Sequence, residues 1–341
     1  MQLYFVFKLT VTCYTTMRYL RIFLFALLII SIHAVHASEW IVRDGEAMGT
    51  TIHTEVWHEN QQLAERVADD VMSIMNHVDQ LMSPYIESSE LSLVNRQASQ
   101  APIILSDELF NVVERSLYYS ELTQGAFDIT YASVGYMYNF RESIRPSQNQ
   151  LESYKQYINY KNVILDRSES SVFFKDANTR IDLGGIAKGF AVDLAIEEAR
   201  QSGVENILVT AGGDSRILGD RLGRPWVIGV RHPMDKNRVI AKIPLADEAL
   251  STSGDYERYF DEDGIRYHHI LDPNTGDSAR DVRSVTILGP RAMDTDALST
   301  SVFVMGPKKG LELLDRIPKI EGIIVDQKGN LMFSSGLQDL K

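Results

Sequence analysis

The order of the periodic segments constrains this chain most. Between residues 206 and 288, short strand-like runs follow one another with no helical pattern between them: 206–210, 226–230, 239–243, 256–260, 266–271 and 284–288. β-branched and aromatic residues bounded by Gly, Asp and Asn give each run its strand reading. A doubly wound parallel sheet needs a crossover helix after nearly every strand, and a mostly antiparallel sheet does not. The order therefore predicts an α+β fold with mixed or antiparallel sheets and flanking helices. The clearest helix spans 60–82, where Leu63, Val67, Val71, Ile74, Met75, Val78, Leu81 and Met82 recur at three and four. Further helices read at 107–122, 187–202, 294–304 and 307–316, a hairpin at 162–165 with 172–174, and short strands at 322–325 and 331–333. No internal repeat, low-complexity tract or long linker interrupts them, so two lobes are expected to pack against each other.

Charge narrows the function. A net charge of -12 and a pI near 5.2 argue against non-specific nucleic-acid binding, which needs a basic face. The one cysteine, Cys13, excludes a disulfide framework and a cysteine-rich zinc site.

The first 37 residues contain no acid. From Met17, a plausible true start, a basic opening with Arg18 and Arg21 leads into an apolar run from 22 to 32 and then to the small-residue site Val35-His36-Ala37. This is the pattern of a secretory signal peptide, and its 11-residue run falls short of the roughly 20 residues that span a bilayer. Cleavage after Ala37 leaves a domain of residues 38–341 with a net charge of -15 and no cysteine. Cys13 precedes the apolar run, so a lipid anchor is not expected. The expected location is the periplasm, in soluble form.

Several stretches carry chemistry. In IDLGGIAKGFAVD, 181–193, a strand is expected to end at Asp182, Gly184 and Gly185 turn the chain, and a helix opens near Ile186 with Lys188 in its first turn. Main-chain N–H groups and a cation at such a start suit an anion, and Gly189 would leave the helix bare for something to approach. An ordinary glycine turn with an exposed lysine is the other reading. The spacing is neither that of a P-loop nor GxGxxG. In DTDALST, 294–300, Asp296 and Thr300 lie at i and i+4 with Ser299 beside them, an oxygen set suited to Mg²⁺. The alternative is a helix capped by Asp294 whose hydroxyls bond backward. In 251–276, His268 and His269 alternate on a strand, so only one can face a site. GAFDIT, 125–130, and AGGD, 211–214, are weaker signals, and an aromatic such as Phe127 is more often core than a flavin contact. No GxSxG is present.

Taken in order, AMGT (47–50), SPYIESSELSLVN (83–95), GAFDIT, IDLGGIAKGFAVD, AGGDSRILG (211–219), LSTSGDYERYF with HHILDP (250–260, 268–273) and DTDALSTSVFVMG (294–306) resemble the ApbE family of FAD:protein FMN transferases. The resemblance implies a two-lobed fold with FAD bound in a cleft between the lobes. It implies Mg²⁺-dependent splitting of the FAD pyrophosphate, release of AMP, and transfer of FMN to a Thr or Ser of a partner protein. Typical partners are subunits of the sodium-pumping NADH:quinone reductase or Rnf-type complexes. By the same resemblance Met48, Tyr85, Ala126, Phe127, Asp128, Asp182, Lys188 and Ile270 would contact FAD. Gly185, Asp296, Ser299 and Thr300 would hold Mg²⁺, and His269 would be the base. The family's Gly-Pro-Leu stretch after GAFDIT is replaced by YASVGYMYNF, 131–140, which bears on acceptor docking. Two alternatives use the same residues: an FAD pyrophosphatase yielding FMN and AMP, and a non-catalytic FAD carrier.

Overall fold

A computed structural model describes residues 39–233 and 235–340. The signal segment expected at 1–37 lies outside the described residues. The centre is an eight-stranded sheet of β1 (Ile41–Ala47), β2 (Thr50–Trp57), β3 (Asn206–Ala211), β4 (Asp214–Leu218), β5 (Ala249–Gly254), β6 (Val282–Gly289), β7 (Glu321–Asp326) and β8 (Leu331–Phe333). Strands neighbour one another in chain order and every pairing is antiparallel. The fold is thus α+β, a meander whose connections swell into helices and small hairpins.

Alternation along β3 shows how the sheet is covered. Ile207, Val209 and Ala211 point into the main core beneath the helices, whereas Leu208 joins Ile217, Leu250 and Leu288 on the other face. The period of two puts neighbouring residues on opposite faces. That second face is covered by a separate hairpin, Trp226–His232 with Asp235–Leu245, through Trp226 and Leu245.

The helical layer consists of α1 (Gln61–Met82) against β1 and β2, α4 (Ala187–Gln201) against β3 and β4, and α5 (Ala292–Met305) against β5 and β6. Helices α2 (Glu90–Gln97) and α3 (Asp107–Leu122) belong to the long β2–β3 connection, and α6 (Pro307–Leu314) follows α5. α1 starts where the Asn60 side chain accepts the Leu63 N–H at 3.2 Å. α5 has no cap from its own sequence. Instead Asp193 of α4 accepts the N–H groups of Ala292 at 2.8 Å and Met293 at 3.0 Å, with Arg216 2.7 Å from the same carboxylate. One buried carboxylate therefore satisfies two orphan donors and fixes α5 against α4.

Four local readings change. No strand ends at Asp182; residues 175–183 run irregularly beside 129–133. Tyr256 lies in a turn, and its strand begins only at Tyr259. Asp294 does not cap α5 but pairs with Arg115 at 2.9 Å. Gly189 leaves room for protein, since a Cβ there would lie 2.2 Å from the Ala292 carbonyl oxygen. The glycine permits the close crossing of α4 and α5 rather than approach of a ligand.

Candidate functional site

A cleft of about 1510 Å³ opens at one end of the sheet. That exceeds the roughly 300–1,000 Å³ of sites for drug-sized molecules. Its floor is made by two sheet turns, Met48–Gly49 between β1 and β2 and Gly212–Gly213 between β3 and β4, together with the end of β5. The start of α4 and the middle of α5 form one wall. The β2–β3 connection and the segment around His269 form the others.

Met48 and Gly49 have φ of 53° and 67°, and Ala47 pairs with Thr50 across them. Both centres of this two-residue hairpin turn are left-handed, the arrangement that matches strand twist. A methionine there costs about 1–2 kcal/mol relative to glycine, so strain is stored where Met48 meets the cleft. Tyr85 stands at the mouth, 86% exposed.

At the other end of the site Asp296 and Thr300 face the cleft one turn apart on α5. Gly185 packs against Thr300, with its Cβ position 3.2 Å from Oγ1. Lys188 lies between Asp214 at 2.9 Å and Asp296 at 3.2 Å and also donates to the Gly184 carbonyl at 3.1 Å. Burial alone would lower the lysine's pKa, but the two carboxylates outweigh it and hold the value above the usual one. Burial, with Asp214 adding to it, holds the Asp296 carboxyl well above the carboxylate range against the opposing pull of Lys188 and the Gly189 N–H. Asp296 Oδ2 accepts from Gly189 at 3.1 Å, whereas Oδ1 has only Lys188 at 3.5 Å. A carboxylate with one open oxygen, a hydroxyl and a nearby main chain, inside a site with excess negative charge, fit a hard divalent cation such as Mg²⁺. Among the described residues no cluster of three or more His, Cys, Asp or Glu is placed to hold a metal ion, so a cation here would draw on hydroxyl and main-chain oxygens beside Asp296.

The two histidines separate cleanly. His268 turns into the core, with Nε2 2.8 Å from the Ala279 carbonyl and its ring edge-on to Phe303. His269 lines the cleft, and its buried Nδ1 has no hydrogen-bond partner. Burial, then Arg258 and His268, push its pKa down to about 3, so the ring is neutral at pH 7.

The remaining candidates differ in what they offer. Ile270 is buried beside His269, and Ala126 also lines the cleft. Phe127 is 3% exposed, edge-on to Tyr119, and touches the Gly185 position, so the core reading applies to most of its ring. Asp182 accepts the Gly184 N–H at 2.6 Å and interacts with Tyr131, which shapes the turn before α4. Two candidates are also tied into the protein itself. Asp128 lines the cleft and accepts from protein donors with both oxygens, Oδ1 from Thr130 and Oδ2 from the Tyr160 N–H at 2.9 Å, which holds the loop. Ser299 is fully buried behind the cleft and bonds to the Asp296 carbonyl at 2.9 Å and Ser253 Oγ at 2.8 Å. It supports the wall that carries Asp296 and Thr300. Sequence reasoning missed Ser253, which bridges Ser299 and Thr300, and the role of Asp214. AGGD marked the position of Asp214, but its partner lies 26 residues away on α4.

Residues 48–324 match the model of the ApbE family. An FAD:protein FMN transferase of Haemophilus influenzae is 32% identical over 285 residues, covering 80% of this chain and 82% of its own length. That of Vibrio cholerae is 31% identical over 287 residues, covering 82% and 85%. Among solved structures, the ApbE protein of Thermotoga maritima superposes with a TM-score of 0.81 at 36% identity, over 88% of this chain and 98% of its own. The flavin transferase ApbE of Vibrio cholerae does so with a TM-score of 0.80 at 28% identity, over 89% and 99%.

Proposed function

The chain belongs to the ApbE family and is a flavin transferase, and from that premise we propose that it moves FMN from FAD to a Thr or Ser hydroxyl of a partner redox protein, with Mg²⁺ and release of AMP. The observation that carries this reading is that Asp296, Thr300, Gly185 and His269 line one cleft, with Asp296 Oδ1 held only by a 3.5 Å contact from Lys188.

Asp296, Thr300 and the Gly185 main chain would hold the cation. When bound, Mg²⁺ neutralises charge on the pyrophosphate and makes its phosphorus more open to attack. Lys188 adds a fixed positive charge, and Met48, Tyr85, Ala126 and Ile270 supply apolar contact for flavin or adenine. His269 takes the proton as the acceptor Oγ forms its bond to the FMN phosphorus and the P–O bond to AMP breaks. A base with a pKa near 3 is weak, and a neighbouring pyrophosphate anion would raise it by favouring the imidazolium. The basic start and apolar run at residues 17–37 support a periplasmic location, and subunits of the sodium-pumping NADH:quinone reductase or Rnf-type complexes are the proposed acceptors.

The test is mass spectrometry of a candidate acceptor domain incubated with the protein, FAD and Mg²⁺, with AMP followed in the same tube. The expected result is an FMN-sized increase on one Thr or Ser with matching AMP. AMP and free FMN with every acceptor tried would replace transfer by hydrolysis, and intact bound FAD would replace both by carriage.

A further inference from the structure

Lys188 spends all three of its N–H bonds inside the protein, on Asp214, Asp296 and the Gly184 carbonyl. With both carboxyls ionised, two carboxylates around one ammonium leave one negative charge in excess, with Asp214 2% and Asp296 3% exposed. A single Lys–Asp pair would satisfy the charge of the lysine, so the second carboxylate needs a reason of its own. Asp214 is held by the sheet. It begins β4 directly after the Gly212–Gly213 turn, and that turn is clamped to β5 by the Thr252 N–H donating to the Gly213 carbonyl at 3.0 Å. A Cβ at Gly213 would lie 2.5 Å from the Thr252 carbonyl oxygen. The turn therefore packs directly on β5, and the shorter of the two carboxylate contacts made by Lys188 is to Asp214.

We propose that Asp214 is a positioning residue that draws the Lys188 ammonium to one side of Asp296, leaving Asp296 able to accept a divalent cation while Lys188 remains charged beside it. The inference rests on the reading of Asp296 as the Mg²⁺ ligand. Without Asp214, Lys188 has Asp296 as its one carboxylate partner and competes with the metal for it. The excess negative charge that attracts a cation is lost at the same time.

The experiment is calorimetric titration of MgCl₂ into the FAD-free full chain, with melting temperature recorded for each variant. Asp214→Asn is expected to weaken Mg²⁺ binding about 10–100-fold, in the range of outer-shell substitutions. Asp214→Glu, which keeps the charge, is expected to retain more of the affinity. The decisive variant is Asp214→Asn combined with Lys188→Met. It removes the competing cation, restores the local charge balance, and is expected to bind Mg²⁺ more tightly than Asp214→Asn alone. A merely structural role for Asp214 predicts no such rescue. Wild-type affinity in Asp214→Asn, or a double variant no better than that single one, overturns the proposal and leaves the metal assignment standing. If Asp214→Asn does not fold, the double variant decides: wild-type-like affinity supports the proposal and a loss of affinity overturns it. Absence of Mg²⁺ binding by the wild type would remove the Asp296 reading itself, and this inference with it.

Discussion

Helices α1 and α5 lie in the same layer over the same sheet, yet they are built on opposite principles. α1 buries seven of its 22 residues, all apolar, and turns a polar face outward. α5 buries 11 of 14, and five of those are Asp294, Thr295, Asp296, Ser299 and Ser301. Buried polarity is unfavourable unless each group finds a partner, and these do: Asp294 with Arg115, Thr295 with Ser251 at 2.8 Å, Ser299 with Ser253, and Ser301 with the Ala297 carbonyl. Asp296 differs, since it lines the cleft and one of its oxygens has only a 3.5 Å contact from Lys188. The comparison separates a helix that stabilises from a helix whose interior polarity is organised around one reactive position.

The most severe test of that division is Asp296→Ala. Turnover is expected to fall on the order of 10³-fold or more, because positioning and charge neutralisation carry most of phosphoryl-transfer catalysis. Its melting temperature is expected to stay close to wild type, because one of two carboxylates around Lys188 remains. Steady-state AMP release with saturating Mg²⁺, beside a thermal melt, decides it; undiminished release would place the metal elsewhere. Next in size is His269→Ala, expected to lower kcat about 10²-fold or more while FAD affinity changes little. Single-turnover transfer and FAD titration check it together, and an unchanged rate would remove the base assignment.

The opposite outcome is expected from α1. Met75 is fully buried in the core beneath the sheet, so Met75→Ala should cost about 2–5 kcal/mol of stability. Activity per folded molecule should be retained. Urea denaturation and active-site titration with FAD separate the two quantities. A large kcat loss in a folded Met75→Ala protein would mean that α1 couples to the cleft, and the division of labour would fail.

This contrast also explains what could be read in advance. α1 was legible because one buried face imposes a 3.6-residue period. α5 has almost no apolar period, since it is enclosed on all sides, and its place came from the DTDALST pattern instead. β5, ALSTSG, carries few strand-forming side chains and is held by pairing with β4 and β6. β1 and β2 alternate charged residues such as Arg43, Glu46 and Glu55 with buried Ile52, Thr54 and Val56, and the hairpin showed only as AMGT. Within the site, residue type marked Asp296, Thr300 and His269. The Lys188–Asp214 and Ser253–Ser299 contacts span 26 and 46 residues and follow from strand order, which local pattern does not encode.

The smallest expected effect concerns the two neighbouring histidines and gives the division a pH signature. Burial pushes His268 down to about 4, with the Ala279 hydrogen bond opposing it, so the native state holds His268 neutral where the unfolded chain begins to protonate near 6.5. Between those values the unfolded state binds more protons, so this residue's contribution to stability is present above about pH 6.5 and is lost as pH falls through about 4. His268→Gln keeps a donor for the Ala279 carbonyl and does not titrate. Comparing urea midpoints at pH 7 and pH 4.5, the variant should lose about 2–3 kcal/mol less than wild type, while its transfer rate at pH 7 stays within a few-fold. Carboxyls raised by burial, such as Asp128 and Asp193, shift stability in the opposite direction but equally in both proteins, so the difference isolates His268. An identical acid loss in the two proteins would show that His268 is not held neutral by its surroundings. A collapse of transfer at pH 7 would show that the histidine behind the wall takes part in what happens in front of it.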